Sequence, residues 1–146
     1  KRQGGSQRSF LKAEIQLKKG SIKQAIETAK NLEPDLFPFE TALHLIMTYN
    51  VPAEKDILAR AYQQAGELDK AIQEYEQLTV FDPESDSRYL IYPLYYYRLA
   101  RLYEQKKWRG KAIENYEKFL TLWQDADPGI PEVEDARQRL AGLQAD

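Results

Sequence analysis

The chain has 146 residues, 42% of them hydrophobic and 30% charged, which is the composition of a folded globular domain rather than a disordered segment. Its formal net charge of −2 argues against a general phosphate-binding surface, so no nucleic-acid partner is expected. Cysteine is absent, which excludes disulfides and thiolate metal sites, and no apolar run approaches the ~20 residues that span a bilayer, so membrane insertion is not expected.

The beginning of the chain predicts a short tail followed by a helical pair. Residues 1–7 are interpreted as a cloning remnant or a linker, because the chain opens with Lys-Arg-Gln-Gly-Gly-Ser and no methionine. Residues 8–146 are predicted to form a single domain within a longer protein. Apolar residues recur every three or four positions and predict helices over about 13–18 and 21–32. An additional helix is predicted over about 38–49, with Pro38 in its first turn.

The centre of the chain predicts a second pair of helices, over about 54–65 and 68–80. Gly66 separates them, at a helix end that favours a residue without a Cβ atom. Asp82-Pro83 then ends the second helix, because proline disfavours helical geometry in the residue before it. The predicted unit is therefore helix, tight turn, helix and breaker.

A third pair is predicted over about 93–106 and 109–123, followed by a capping helix over about 131–143. The unit thus occurs three times. Aligned on Ala25, Ala71 and Ala112, the copies read AEIQLKKGSIKQAIETAKNL, ARAYQQAGELDKAIQEYEQL and ARLYEQKKWRGKAIENYEKF. Each copy has a second alanine twelve residues before the aligned one, and two small residues at these places let paired helices approach closely.

These copies resemble the tetratricopeptide repeat. The second copy has family residues at the family's spacing: Ala59, Tyr62, Gly66, Ala71, Tyr75 and Pro83. The third has Leu99, Ala100, Tyr103, Ala112, Tyr116 and Phe119, although Lys107 replaces the turn glycine. The first is weaker, with Gln16 where the family has an aromatic residue.

The resemblance implies an all-α helical-repeat solenoid of about seven to eight antiparallel helices, with repeats over about 8–34, 53–83 and 93–126. The closing segment also resembles the end of repeat regions in large multidomain bacterial signalling proteins.

Residues suited to catalysis are scarce. The only histidine, His44, lies among apolar residues and is expected in the core, since no cysteine or second histidine exists to partner it. The acidic groups near Asp125 and Glu132 lack EF-hand spacing. We therefore predict no enzyme activity, no cofactor and no metal site.

The tyrosines allow two interpretations. One helical stripe is predicted to be core: Tyr89, Tyr92, Tyr96, Leu99, Ala100 and Tyr103. Tyr95 and Tyr97 lie off that stripe, and one of them is expected to pack on a neighbouring repeat; the alternative is an exposed aromatic anchor for a partner.

By resemblance, the first helix of each pair lines a concave groove that binds a peptide. Its predicted protein-binding residues are Arg60, Gln64, Tyr97, Arg101 and Glu104, joined at neighbouring places by Glu14, Leu17, Asp56, Gln63 and Gln105. Asp56 and Tyr97 stand where chaperone-binding members need lysine, which argues against chaperone C-termini as ligands. Arg60 and Arg101 are expected on the same concave wall, poorly neutralised within the chain and partly open to solvent, and suited to an acidic partner.

The predicted function is a protein-interaction module that binds a peptide or neighbouring domain in this groove. The alternative is a structural spacer or self-assembly segment of a longer bacterial signalling or envelope protein. The first 23 residues carry a net charge of +6 and the last 23 a net charge of −4, so the ends are either simply solvated or steer a weak homo-oligomer. Cytoplasm is the expected compartment, with periplasm as the alternative.

Overall fold

The computed structural model describes residues 5–32, 56–80 and 91–145. These residues form seven helices and no strand. The helices are α1 (Gly5–Lys18), α2 (Ile22–Lys30), α3 (Ile57–Gln64), α4 (Leu68–Thr79), α5 (Leu94–Gln105), α6 (Arg109–Leu122) and α7 (Pro131–Ala145). The all-α prediction is confirmed, although α1 begins at Gly5 instead of residue 13. The helix predicted over about 38–49, together with His44 and Tyr89, lies outside the described residues.

The chain divides into two compact units. Unit 1 comprises Lys1–Glu74 with Asp82–Leu90, and unit 2 comprises Tyr75–Phe81 with Ile91–Asp146. The division falls within α4. The assignment of 8–146 to a single domain stays a prediction.

Unit 1 is built on close helix contacts at small residues. α2 packs against both α1 and α3. The buried cluster at these contacts consists of Ala13, Leu17, Ala25, Ala29, Ile57 and Ala61. Because four of the six are alanine, the helix backbones can approach one another closely, and partly buried residues such as Phe10 and Ile26 surround the cluster.

The three tight turns between paired helices share one backbone geometry. Gly20 and Gly66 have φ values of 75° and 77°, and Lys107, at the equivalent place in the third copy, has a φ of 59°. In each turn, the residue after the one with positive φ donates its amide hydrogen to the carbonyl five residues before it. An example is the bond of 2.9 Å from the Glu67 amide to the Tyr62 carbonyl. This is the Schellman arrangement, which favours glycine at the left-handed position. The third copy keeps the turn with a lysine in that conformation.

In unit 2, α5 is buried on more than one face. α5 packs against α6, and α6 packs against α7. The Tyr95 ring lies 6.0 Å from that of Tyr75 on α4, whereas the Tyr97 ring lies 5.4 Å from that of Phe119 on α6. Both tyrosines are therefore buried, and neither forms an exposed aromatic anchor. Tyr95 packs on the preceding copy, as the packing interpretation predicted, whereas Tyr97 packs on α6 of its own copy.

The predicted tyrosine stripe is right only in part. Leu99, Ala100 and Tyr103 are buried as expected. Tyr92 and Tyr96 keep partial exposure, so their assignment to the core was wrong. The single-stripe argument assumed that α5 buries one face, but α5 has neighbours on two sides.

Candidate functional site

The predicted groove residues fall on the first helix of each of two pairs. Arg60 and Gln64 lie on α3 in unit 1. Tyr97, Arg101 and Glu104 lie on α5 in unit 2. Each set has its own environment, built by the helices of its own unit.

On α3, Arg60 is held by two carboxylates. Its Nε donates to Oδ1 of Asp56 over 3.0 Å, and its Nη1 donates to Oε2 of Glu14 on α1 over 3.3 Å. Its Nη2 donates to the other oxygen of Glu14. Asp56 is fully buried, and 24% of the Arg60 side chain is exposed. The Arg60 guanidinium thus joins the buried carboxylate of Asp56, one helical turn earlier, to the carboxylate of Glu14 in the preceding copy.

This arrangement corrects the expectation that Arg60 is poorly neutralised. A carboxylate buried as deeply as that of Asp56 needs a cation or several hydrogen bonds, because desolvation strongly disfavours an isolated charge. The sequence contained one signal for the contact, since Asp56 and Arg60 are four residues apart and share a helical face. The bond to Glu14, 46 residues away, had no local signal.

On α5, Arg101 is held more loosely. The Tyr97 hydroxyl donates to Oδ2 of Asp135 on α7 over 2.7 Å and accepts a bond of 3.1 Å from Nη1 of Arg101. Arg101 Nη1 lies 3.9 Å from the same Asp135 oxygen, and 39% of the Arg101 side chain is exposed. Asp135 Oδ2 also accepts a bond of 2.6 Å from Nε of Arg139. Asp135 is therefore shared between two arginines, of which Arg139 is much the closer.

The pKa values in this cluster follow from burial and hydrogen bonding. Burial raises the pKa of Tyr97, and its bond to Asp135 raises it further. For Asp135, burial acts to raise the pKa, but the hydrogen bonds from Arg139 and Tyr97 outweigh it and the pKa is lowered. The network therefore keeps Tyr97 protonated as a donor and Asp135 ionised as an acceptor.

The Glu104 carboxylate is paired with side chains of α6 and α7. Nη1 of Arg139 lies 3.0 and 3.1 Å from the two Glu104 oxygens, and the Tyr116 hydroxyl donates to Oε2 of Glu104 over 2.8 Å. The pKa of Tyr116 is raised, mainly by burial and to a lesser extent by its hydrogen bond to Glu104. Sequence reasoning missed Asp135 and Arg139 as partners of α5, although their spacing of four on α7 marks a helical ion pair.

The solvent-accessible part of the site is smaller than predicted. Gln64 is exposed on α3, and Gln105, at the equivalent place on α5, is exposed as well. Arg101 is the more accessible of the two predicted arginines. Within residues 5–32, 56–80 and 91–145, no three His, Asp or Glu side chains come close enough to hold a metal ion. Among those same residues, no helix has both the length and the apolar character needed to cross a membrane.

Comparison with known proteins gives one result that bears on this site. A family model described as "Tetratricopeptide repeat" matches residues 57–85 and 94–122. The matched segments contain α3 with α4 and α5 with α6, which are the predicted second and third copies. A search of curated proteins finds no match to the chain.

Proposed function

We propose that the chain is an interaction module that binds an acidic peptide or neighbouring domain through α5, because residues 57–85 and 94–122 match the tetratricopeptide-repeat model and α5 is the first helix of the second matched segment. Repeats of this family are generally protein-interaction modules and typically have no enzymatic activity. The proposal of an acidic partner depends on Arg101, whose guanidinium is held in place by Tyr97 and is only partly neutralised by Asp135.

Tyr97 fixes the position of Arg101. A neutral hydroxyl accepts the guanidinium bond, so it orients Arg101 without cancelling its charge. The nearest carboxylate, Asp135, is 3.9 Å away and makes its short bond to Arg139. A carboxylate of a partner therefore meets a guanidinium that has lost part of its rotamer freedom and that can donate further hydrogen bonds.

An exposed amide extends this surface along α5. Gln105 lies one helical turn after Arg101, and its amide can both donate to and accept from a peptide backbone. Gln64 has the equivalent place on α3. Arg60 contributes less than the sequence predicted, because its guanidinium already bridges Asp56 and Glu14. We therefore assign the main ionic contact with a partner to Arg101.

The internal pairing of Glu104 favours the second candidate function, a structural spacer. Arg139 and Tyr116 both bind Glu104, so this predicted groove residue already serves to attach α7. In a pure spacer, every such polar place would hold helices together and none would bind a separate ligand.

Arg101→Ala separates the two functions. The matched control is Lys118→Ala, since Lys118 is a similarly exposed cation on α6 that pairs with Glu114 over 2.7 Å. Partners are recovered by cross-linking to the protein, and each is titrated by calorimetry against the wild type and both variants.

We expect Arg101→Ala to weaken binding about tenfold or more, because hydrogen bonds to charged groups contribute roughly 1.5–3 kcal/mol, while Lys118→Ala binds like the wild type. Equal affinities for all three proteins would remove the proposed site and favour the spacer.

A further inference from the structure

One face of α1 is apolar at its centre and basic at its rim. Leu11 and Ile15 lie one turn apart and are 57% and 51% exposed. They line a shallow depression of about 440 Å³ that also includes Arg8, Lys12, Lys19 and Gln16. We call these six residues the α1 face. It contains none of the five predicted groove residues.

The polar groups of the α1 face lack partners within the part of the chain that the structure describes. Arg8, Lys12 and Lys19 are exposed there and form no ion pair with any described residue. Oε1 of Gln16 is buried and accepts no hydrogen bond from those residues.

In the later copies, the equivalent places are covered by a helix. Ile15 corresponds to Ala61 and Leu102, both of which are fully buried. Gln16 corresponds to Tyr62 and Tyr103.

Both tyrosines contact the second helix of the preceding copy. Nζ of Lys30, at the end of α2, lies 5.8 Å from the centroid of the Tyr62 ring. The Tyr103 hydroxyl donates to Oε1 of Glu76 on α4 over 2.6 Å. The repeat geometry thus places a helix against this side of the first helix of a copy, and on α1 the corresponding side has two exposed apolar residues, Leu11 and Ile15.

We propose that the α1 face docks an acidic amphipathic helix of a partner protein, in the place that the second helix of a preceding copy takes in the later repeats. The apolar side of the helix would cover Leu11 and Ile15. Carboxylates along its edges would pair with Arg8, Lys12 and Lys19, which lie in a segment of residues 1–23 with a net charge of +6. This charge complementarity selects an acidic partner over a basic one.

The test uses two synthetic helical peptides with the same leucine face, one with glutamates and the other with lysines along both edges. Binding to the full chain is measured by fluorescence anisotropy. The protein variants are Leu11→Ser with Ile15→Ser, and the matched control Leu122→Ser, which removes an apolar side chain that is 56% exposed on α6.

We expect the glutamate peptide to bind and the lysine peptide not to bind. The double serine variant should lose about tenfold or more in affinity, since burial of apolar surface drives the contact, while Leu122→Ser should bind like the wild type. Arg101→Ala is titrated alongside: a loss of affinity in this variant but not in the double serine variant would assign the glutamate peptide to the surface under the proposed function and overturn the assignment to the α1 face.

Four results would each overturn the proposal. The first two are that the glutamate peptide fails to bind and that it binds no better than the lysine peptide. The third is that the double serine variant keeps full affinity. The fourth is a thermal unfolding midpoint that falls for the double serine variant but not for Leu122→Ser, which would show that the chain itself covers Leu11 and Ile15.

Discussion

Arg60 and Arg101 occupy equivalent places in successive repeats, yet truncation of the two should affect stability differently. Arg60 neutralises Asp56, whose side chain is fully buried. Arg101 lies near Asp135, which is partly exposed and keeps its 2.6 Å bond to Arg139. Arg60→Ala therefore leaves a buried carboxylate without its guanidinium, whereas Arg101→Ala leaves a carboxylate that is still paired and partly hydrated.

The magnitudes follow from this difference in burial. Removal of one member of a buried ion pair costs roughly 3–5 kcal/mol, and we take about 3 kcal/mol for Arg60→Ala because part of this side chain already reaches solvent. An exposed pair contributes roughly 0.2–1 kcal/mol, so Arg101→Ala should cost less than about 1 kcal/mol. The predicted gap between the two variants is about 2 kcal/mol, well above the error of a comparison between unfolding midpoints.

The assay is urea unfolding at pH 7, followed by far-ultraviolet circular dichroism, because both units are helical. Asp56→Asn in the Arg60→Ala background provides the internal control. A neutral amide carries no charge for the Arg60 guanidinium to offset, so the double variant should recover most of the loss. Equal destabilisation by Arg60→Ala and Arg101→Ala, or no recovery by Asp56→Asn, would refute the argument that Asp56 depends on Arg60.

Three further changes test other parts of the structure. Lys107→Gly should raise the unfolding free energy in urea by about 1 kcal/mol, because its left-handed φ of 59° strains a side chain, and Gly66→Ala should lower it; a loss with Lys107→Gly would contradict this. Ala71→Leu and Ala112→Leu, at fully buried places, should each cost roughly 1–3 kcal/mol by overpacking; unchanged urea midpoints would place the repeat alignment out of register. The lowered pKa of Asp135 adds stability that is complete above the unfolded pKa of about 3.9 and is lost as the pH falls through the folded pKa. Asp135→Asn should therefore flatten the acid side of the stability profile, and a profile parallel to that of the wild type would contradict the assignment.

The features that sequence reasoning predicted correctly are local ones. The turns at Gly20, Gly66 and Lys107 could be placed because a helix end imposes its residue preference within a few positions. The burial of Tyr95 on a second face of α5 could not be decided from the pattern, since it depends on Tyr75 of another helix. Hydrophobic periodicity identifies the faces of one helix, but the number of neighbours decides how many of those faces are buried.

The candidate site was harder to predict because its electrostatics depend on distant partners. The spacing of four between Asp56 and Arg60 was visible in the sequence, whereas Glu14 reaches Arg60 from 46 residues away. The attachment of Glu104 to Arg139 likewise joins residues 35 positions apart. A repeat alignment identifies equivalent positions, but it cannot show which of these side chains already form ion pairs within the chain.

The residue four positions before each arginine explains why equivalent places differ in use. In the second copy this residue is Asp56, a buried carboxylate that neutralises Arg60. In the third copy it is Tyr97, whose hydroxyl orients Arg101 and leaves its positive charge. The same helical geometry therefore yields a structural arginine in one repeat and a preoriented cation in the next. An acidic partner gains more from Arg101, because it need not displace a buried carboxylate to reach the guanidinium.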